Sequence, residues 1–216
     1  MCIRDSLLYN TQRDEWFHIP TFGCSRTLSP NLVSYQSNLY LIGGKYSTTA
    51  NENKDEASTA QDDYSVMKHI QNDGKLFQHF DPRIGKWSQL PQMTYARYRS
   101  AVGILNDTLY VSGGDDLVYY KGFIECYNFK ACKWDIFETT MPKPKMNHTL
   151  IPHHNQLWFF GGQNYDSDVI VNDLSWYAYD LAEHSWFGVS KADFRMPASY
   201  GKFTTKAILD VVVSQF

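Results

Sequence analysis

Short apolar stretches separated by small polar residues recur along the chain at nearly regular intervals. Three of them run into a pair of glycines: LYLIGG at 39–44, LYVSGG at 109–114 and LWFFGG at 157–162. β-branched and aromatic residues favour strands, and a glycine pair marks unusual backbone dihedral angles or the close approach of another segment. Each stretch therefore predicts a buried strand that ends at its glycines.

An eight-residue motif that starts with an aromatic residue and ends with tryptophan occurs four times. The copies are YNTQRDEW at 9–16, FDPRIGKW at 80–87, YNFKACKW at 127–134 and YDLAEHSW at 179–186. Asn or Asp follows the first aromatic residue in every copy, and such side chains bond nearby backbone and open turns. We predict four β-hairpins, each with a large ring on either arm. The paired rings are Tyr9 and Trp16, Phe80 and Trp87, Tyr127 and Trp134, and Tyr179 and Trp186.

Another strand-like stretch precedes each of the three stretches that end in a glycine pair. One repeat unit is therefore predicted to form four consecutive antiparallel strands, which we call a to d. Equivalent residues are about one repeat apart: Gly113 and Gly161 are separated by 48 positions (161 minus 113) and Trp87 and Trp134 by 47 (134 minus 87). Repeats of this length bury their faces by stacking on their neighbours. Small four-stranded sheets arranged around an axis form a β-propeller. The pattern therefore predicts an all-β protein.

The glycine pair, the later aromatic residue and the tryptophan, in register, resemble the kelch repeat over residues from about 7 to 194. The resemblance implies a propeller of four-stranded antiparallel blades, in which the glycines close the second strand. It also implies that the aromatic residue and the tryptophan pack between blades. Besides the four ring pairs, the residues with such structural roles are Gly43, Gly44, Gly113, Gly114, Gly161 and Gly162.

The repeats divide the chain into successive blades. We expect a partial blade at 1–20 with strands c and d only, fuller blades at 24–93, 95–141 and 145–190, and a partial or closing blade at 195–216. Because kelch propellers usually close with five to seven blades, an incomplete ring is expected. A small complete ring in which the tail supplies missing strands is the alternative.

The first fuller blade carries a long insertion between strands b and c, at about 45–74. Residues 45–63 hold two lysines and five acidic residues and have no apolar periodicity. Such a composition cannot bury enough apolar surface to order itself. The insertion is therefore expected to be a loosely held loop.

One face of the predicted ring is the candidate for partner binding, because the b–c loops and the d–a links between blades share it. In kelch-family substrate adaptors this face captures partners, and an arginine at the position of Arg97 often contacts acidic peptides. The equivalent positions of the neighbouring blades hold Thr27 and Lys145. The candidate contact residues on this face are Arg97, Arg99, Tyr119, Tyr120, Lys121, Lys145 and Tyr165. Alternatively, the loop tyrosines fold over the blade beneath them.

Composition excludes several classes of function. The net charge of −3, from 20 basic and 23 acidic residues, lacks the basic footprint of a nucleic-acid-binding protein. No stretch reaches the roughly 20 apolar residues of a membrane-spanning helix. Four cysteines are too few for a disulfide scaffold of this size. Cys126 is predicted opposite Asp135 rather than opposite Cys132, so we expect reduced thiols.

Candidate catalytic chemistry is sparse. His148, His153 and His154 lie close together in the sequence, but a strand turns alternate residues to opposite faces. We therefore predict polar turn residues rather than metal ligands. No phosphate-binding loop, Gly-x-Ser-x-Gly elbow or Cys/His nucleophile pattern is present. The sequence predicts no catalytic residue, no cofactor and no metal.

These observations favour a non-enzymatic protein-interaction module located in the cytoplasm. The kelch resemblance implies a more specific function for this module: the substrate-recognition propeller of a cullin-RING ubiquitin-ligase adaptor, joined to an upstream BTB domain. Two alternatives stay open: an actin-binding kelch protein, and a carbohydrate-active or oxidative enzyme similar to galactose oxidase or to sialic-acid mutarotases. We expect a protein or peptide partner on the b–c and d–a face, and neither nucleic acid nor membrane.

Overall fold

The computed structural model describes residues 7–19, 27–46, 74–115, 122–166 and 169–189, and all regular structure in these ranges is β-strand. None of these ranges contains a helix that is long and apolar enough to span a bilayer. The strands, in chain order, are β1 (Leu7–Asn10), β2 (Glu15–His18), β3 (Thr27–Leu28), β4 (Asn31–Tyr35), β5 (Asn38–Ile42), β6 (Lys45–Tyr46), β7 (Phe77–Asp81), β8 (Lys86–Gln89), β9 (Ala101–Leu105), β10 (Thr108–Ser112), β11 (Phe123–Asn128), β12 (Lys133–Thr140), β13 (Thr149–His153), β14 (Gln156–Phe160), β15 (Gln163–Asp166), β16 (Val169–Asn172), β17 (Trp176–Asp180) and β18 (Ser185–Val189).

Three four-stranded antiparallel sheets make up most of the described structure. We call them blade 1 (β4, β5, β7 and β8), blade 2 (β9 to β12) and blade 3 (β13, β14, β17 and β18). Their first strands adjoin one another, β4 beside β9 and β9 beside β13. This arrangement confirms the predicted all-β fold of four-stranded antiparallel blades. Across the described residues the blades form an open array and not a closed ring.

Four hairpins join the outer two strands of the repeats, and their registers place each aromatic residue opposite its tryptophan. The pairs are Tyr9 with Trp16, Phe80 with Trp87, Tyr127 with Trp134, and Tyr179 with Trp186. The polar residue that follows the first ring closes each turn. For example, Asn128 Oδ1 accepts the backbone N–H groups of Lys130 and Ala131 at 2.9 and 2.8 Å. A short polar side chain at this position therefore sets the turn.

The two described cysteines of this hairpin are both free. Cys126 lies opposite Asp135 in the ladder between β11 and β12. Cys132 lies in the turn, where its Sγ is 3.5 Å from the carbonyl oxygen of Phe129. The register therefore separates the two thiols.

The core lies between the blades, and β10 shows why its sequence is apolar on both faces. Leu109 and Val111 pack with residues of blade 1, whereas Tyr110 belongs to the cluster shared with blade 3. Alternate residues of a strand point to opposite faces of its sheet. A middle blade must therefore bury both faces, and an uninterrupted apolar run such as LYV results.

Tryptophan rings carry the contact from one blade to the next. Trp134 of blade 2 lies edge-on to Phe77 of blade 1, with ring centroids 5.1 Å apart, and its Nε1 donates to the carbonyl oxygen of Pro91 at 2.7 Å. Trp186 of blade 3 donates in the same way to Thr139 Oγ1 of blade 2, at 3.2 Å. The ring of Trp16 on β2 is, by contrast, 64% exposed.

The glycine pairs lie where one blade meets the link into the following blade. Gly113 and Gly114 both have positive φ, 59° and 84°, and the Gly114 N–H donates to the carbonyl oxygen of Lys145 at 2.8 Å. A Cβ atom at Gly113 would lie 2.1 Å from that same oxygen. Only glycine allows both the left-handed backbone and this close approach.

Two predicted segments lie outside the described residues. These are nearly all of the b–c insertion, at 47–73, and the proposed last blade at 195–216.

Candidate partner-binding face

The links between blades and the segments that follow the glycine pairs lie side by side on one face. In blade 1 they pair as β3 with β6, and in blades 2 and 3 as the bridges of Tyr98 with Asp115 and of Met146 with Gln163. We call this surface the link face. It is the face on which the sequence places the candidate contact residues.

Arg97 lies beneath the link face rather than on it. Its guanidinium is fully buried and forms an ion pair with Glu125 at 3.1 Å between Nε and Oε1. Its Nη1 donates to the carbonyl oxygens of Gly113 and Phe123 at 2.7 and 3.0 Å. This corrects the predicted partner contact, because a side chain held by these internal acceptors does not reach a partner.

Glu125 is the carboxylate that neutralises Arg97, and it is itself fully buried. Its Oε2 accepts the backbone N–H of Thr94 at 2.7 Å, and its Oε1 accepts that of Tyr95 at 3.3 Å. A buried charge is tolerated when it is both paired and hydrogen-bonded. The ion pair therefore ties the link from blade 1 to the third strand of blade 2.

Lys145 occupies the equivalent position before blade 3, and it too is buried. Its Nζ donates to the carbonyl oxygen of Ser175 at 2.7 Å and lies 3.6 Å from Asp173 Oδ2. The ammonium also lies 4.7 Å from the centre of the Tyr177 ring. Burial lowers the pKa of Lys145 to about 8, against the opposing attraction of Asp173. The predicted partner contact of Lys145 is corrected for the same reason as that of Arg97.

The partner of each cation changes from blade to blade. Glu125 lies two residues before Tyr127, and the equivalent position of blade 3 holds Tyr177, two residues before Tyr179. The carboxylate under Arg97 is thus replaced by an aromatic face under Lys145, which attracts a cation through its quadrupole. These positions hold complementary internal pairs, and this accounts for their sequence variation without a partner.

Arg99 is the one predicted cation that the described structure places at the link face. Its φ of 57° is matched by 51° at Ser29 and 52° at Asn147, the equivalent residues of the other blades. The side chain is partly exposed, and the guanidinium carbon lies 5.1 Å from the centre of the Tyr98 ring. Arg99 borders the junction of blades 2 and 3, because its carbonyl oxygen accepts the backbone N–H of Asn147 at 2.8 Å.

The predicted tyrosine contacts fall largely outside the described structure. Tyr119, Tyr120 and Lys121 lie in the gap between residues 115 and 122. The backbone of Tyr165 belongs to β15, where it lies opposite Ile170 of β16.

The most exposed apolar side chains of the link face lie in a hairpin that is not part of the predicted four-stranded repeat. β15 and β16 form a two-stranded hairpin between the second and third strands of blade 3. Val169 and Ile170 on β16 are 61% and 43% exposed, and the nearby Leu174 is 49% exposed. The signal was present in the sequence as the short apolar run VIV between polar residues, which predicts a strand.

His148 is buried between blades 2 and 3, which corrects the prediction of a polar turn residue. Its Nε2 lies 2.8 Å from Ser112 Oγ, and its ring stacks on Phe159 with centroids 6.1 Å apart. Burial lowers its pKa to about 3, and the charges of Lys145 and Arg97 act in the same direction. In the described part of the chain, no group of three or more His, Cys, Asp or Glu side chains is arranged to hold a metal ion.

Comparison with known proteins finds several relatives, although no protein-family model matches the chain. Alpha-scruin of Limulus polyphemus is 31% identical over 77 residues, which are 35% of this chain and 8% of alpha-scruin. Kelch-like protein 41 of Mus musculus is 27% identical over 138 residues, 63% of this chain and 20% of that protein. An F-box/kelch-repeat protein of Arabidopsis thaliana is 24% identical over 120 residues, 52% of this chain and 30% of that protein.

The matched segments thus span less than a third of each of these relatives. None of the three relatives is named as an enzyme. The glycine pairs, the recurring hairpins, the four-stranded blades and these relatives together show that the chain is similar to kelch-repeat proteins.

Proposed function

We propose that this kelch-repeat chain is the partner-recognition propeller of a larger adaptor, and that the adaptor presents captured proteins to a cullin-type ubiquitin ligase in the cytoplasm. The kelch-repeat relatives support the coarser statement that the chain is a protein-interaction propeller. The F-box in the name of the plant relative supports a link to ubiquitin ligases by analogy only.

The observation that carries the proposal is the continuity of the link face. Its paired segments come from all three blades, and their bridges hold the links and the post-glycine segments in fixed order. A rigid scaffold that presents loop segments side by side is the usual basis of a recognition surface. The contact residues that we propose on this face are Arg99, Tyr119, Tyr120, Lys121 and Tyr165; Tyr and Arg are enriched in binding hot spots.

The test uses the full-length protein encoded by the complete transcript. The tagged protein is purified from cells of its own source, and co-purifying cullin is quantified by mass spectrometry. We expect cullin in the wild-type sample, since an adaptor holds the ligase through a domain other than its propeller. A full-length protein that retains no cullin would contradict the ligase assignment.

Substitutions on the propeller separate partner capture from ligase binding. We expect Arg99→Ala to reduce the proteins captured by the propeller while the amount of cullin stays constant. Arg83→Ala is the matched control, because Arg83 is an exposed arginine in the turn between β7 and β8, outside the link face. If Arg99→Ala and Arg83→Ala give the same set of captured proteins, Arg99 is not a contact residue.

A further inference from the structure

The β15–β16 hairpin has a solvent-facing strand that lacks the usual protection of an edge. Among the described residues, β16 pairs with β15 on one side only. Natural edge strands are commonly protected by lysine, proline or a bulge. The four residues of β16, Val169 to Asn172, include neither lysine nor proline, and their ladder with β15 runs without a bulge.

The hydrogen-bond pattern shows which backbone groups of β16 face outward. Gln163 exchanges two backbone bonds with Met146, at 2.8 and 2.9 Å, so its own groups point away from β16. Gln163 and Asn172 are therefore a non-hydrogen-bonded pair of the hairpin. Since such pairs alternate along an antiparallel ladder, Tyr165 and Ile170 form the next one. The N–H and C=O of Ile170 thus point to the free side of β16.

The base of the hairpin is fixed to blade 3 by the buried charges described above. Asp173 directly follows β16, faces Lys145, and accepts a hydrogen bond from Asn164 Nδ2 of β15 at 3.2 Å. The Asp173 N–H donates to the carbonyl oxygen of Gly162 at 2.9 Å. An isolated two-stranded hairpin is marginal in water, so this anchor is what presents β16 as a preformed edge.

The charge of the hairpin indicates the chemistry of a complementary strand. Between Gln163 and Asn172 the sequence carries two acidic residues, Asp166 and Asp168, and no Lys, Arg or His. Asp173 at the base is offset by Lys145, and the segment between Gln163 and Asn172 is acidic by sequence. A strand that pairs with β16 is therefore favoured if it brings apolar residues for Val169 and Ile170 and a basic residue that complements this acidic sequence.

We propose that the free edge of β16 captures an extended segment of a partner protein by strand addition, and that this segment carries alternating apolar residues with a flanking Lys or Arg. Main-chain hydrogen bonds to Ile170 and Asn172 would supply affinity, and the exposed apolar side chains would supply selectivity. The inference rests on the proposed function, since it names the kind of partner that the link face captures.

The test selects ligands from a phage library of random 12-residue peptides against the immobilised 216-residue chain. Enriched peptides are synthesised, and their Kd values are measured by fluorescence polarisation. We expect an enriched pattern of alternating β-branched or aromatic residues with at least one Lys or Arg. A library that yields no enriched pattern, or an acidic one, would overturn the proposal.

Three variants locate the bound peptide. Ile170→Pro removes the outward N–H while leaving the bonds between β15 and β16 in place, so Kd should rise at least tenfold. Ile170→Thr keeps the N–H and the β-branched shape, so its Kd should rise less. Ile84→Thr is the matched control, because Ile84 is an exposed isoleucine, 62% accessible, in a turn of blade 1, and its Kd should stay within twofold of wild type.

The outcomes distinguish this inference from the proposed function. Peptides that bind wild type and Ile170→Pro equally well would refute the β16 edge, while cullin recovery with the full-length protein would still support the adaptor. Loss of cullin with retained Ile170-dependent peptide binding would refute the adaptor alone. If light scattering shows a wild-type dimer that Ile170→Pro converts to monomer, the occupant is a second copy of this chain and the proposal is wrong.

Discussion

At the residue scale, Arg97 and Glu125 supply a direct test of the internal ion pair. Both side chains are fully buried. Removing one partner of a buried pair leaves an uncompensated charge, which costs about 3–5 kcal/mol. We therefore expect Arg97→Ala to lower the free energy of unfolding by roughly that amount in urea titrations.

An ion pair whose arginine is exposed provides the control for this prediction. Arg83 and Asp81 form an ion pair at 2.7 Å, with the Arg83 side chain 81% exposed. Water and salt screen such a pair, so its loss changes stability little. Arg83→Ala should leave the urea midpoint nearly unchanged. Equal losses in the two variants would show that Arg97 has no special internal role.

His148 gives the protein a pH dependence that begins at one residue. Its pKa is about 3 in the folded protein, against an ordinary value of 6.5, because burial disfavours the charged ring. The unfolded chain therefore binds the proton first. The buried, neutral ring of His148 therefore contributes its full stabilisation above pH 6.5. This stabilisation is lost as the pH falls from 6.5 towards 3, because the unfolded chain binds a proton that the folded protein does not.

We expect the thermal midpoint to fall across this window, and the fall to be smaller in His148→Gln than in wild type. His153→Gln is the control, since His153 is partly exposed on β13. A wild-type slope retained in His148→Gln would mean that other groups cause the acid sensitivity.

At the element scale, the end of each second strand is defined by contact with the following link as well as by backbone conformation. Gly113 and Gly85 separate these causes, because their φ values are similar, 59° and 64°. A Cβ atom at Gly113 would lie 2.1 Å from a backbone oxygen, whereas one at Gly85 would have no neighbour within 4 Å. The left-handed backbone alone costs an L-residue about 1–2 kcal/mol.

Gly85→Ala should therefore lose about 1–2 kcal/mol of unfolding free energy in urea. Gly113→Ala should lose about 1–3 kcal/mol more, because the added atom forces the blades apart. Similar losses in the two variants would indicate that backbone strain alone explains the glycine and that the close approach of blade 2 to the next link is unimportant.

A structural feature that is determined by neighbouring residues can be predicted from the sequence. A feature that depends on contact with a residue far away in the sequence cannot. The hairpin at 127–134 is encoded within eight residues, because Asn128 closes the turn and Tyr127 and Trp134 set the register. Counting residues within the repeat places Arg97 on the link that precedes blade 2. Its direction, however, depends on Glu125, which is 28 residues away. Counting locates a position on a blade but not the side to which a long side chain turns.

The β15–β16 hairpin illustrates the same limit. The apolar run of β16 indicates a strand, but its pairing with β15 and its exposure depend on how blade 3 anchors the hairpin. The link between Lys145 and Asp173 spans 28 positions (173 minus 145), so local pattern does not show it. The candidate face was therefore predictable in outline, whereas its accessible side chains were not.

At the scale of the whole molecule, stability depends on how adjacent blades pack, because each blade contacts only its neighbours. Buried clusters fill both described interfaces, one between blades 1 and 2 and one between blades 2 and 3. Removing a ring from an interface should therefore weaken two blades together. Removing a ring that no blade covers should weaken neither.

Trp134 and Trp16 test this difference, since each closes the same hairpin motif in a different environment. Trp134 packs against Phe77 of the preceding blade and donates to Pro91, whereas Trp16 contacts Tyr9 of its own hairpin and is 64% exposed. Large-to-small changes at buried rings cost about 3–5 kcal/mol of unfolding free energy. Because Trp134 is only partly buried, we expect Trp134→Ala to lower the free energy of unfolding by an amount near the lower limit of that range. Trp16→Ala should leave the urea midpoint nearly unchanged. Because the Trp134 ring spans two blades, amide hydrogen exchange in Trp134→Ala should accelerate in β7 of blade 1 as well as in β11 of blade 2. Acceleration confined to β11 would mean that the blades unfold independently and that the interblade core does not couple them.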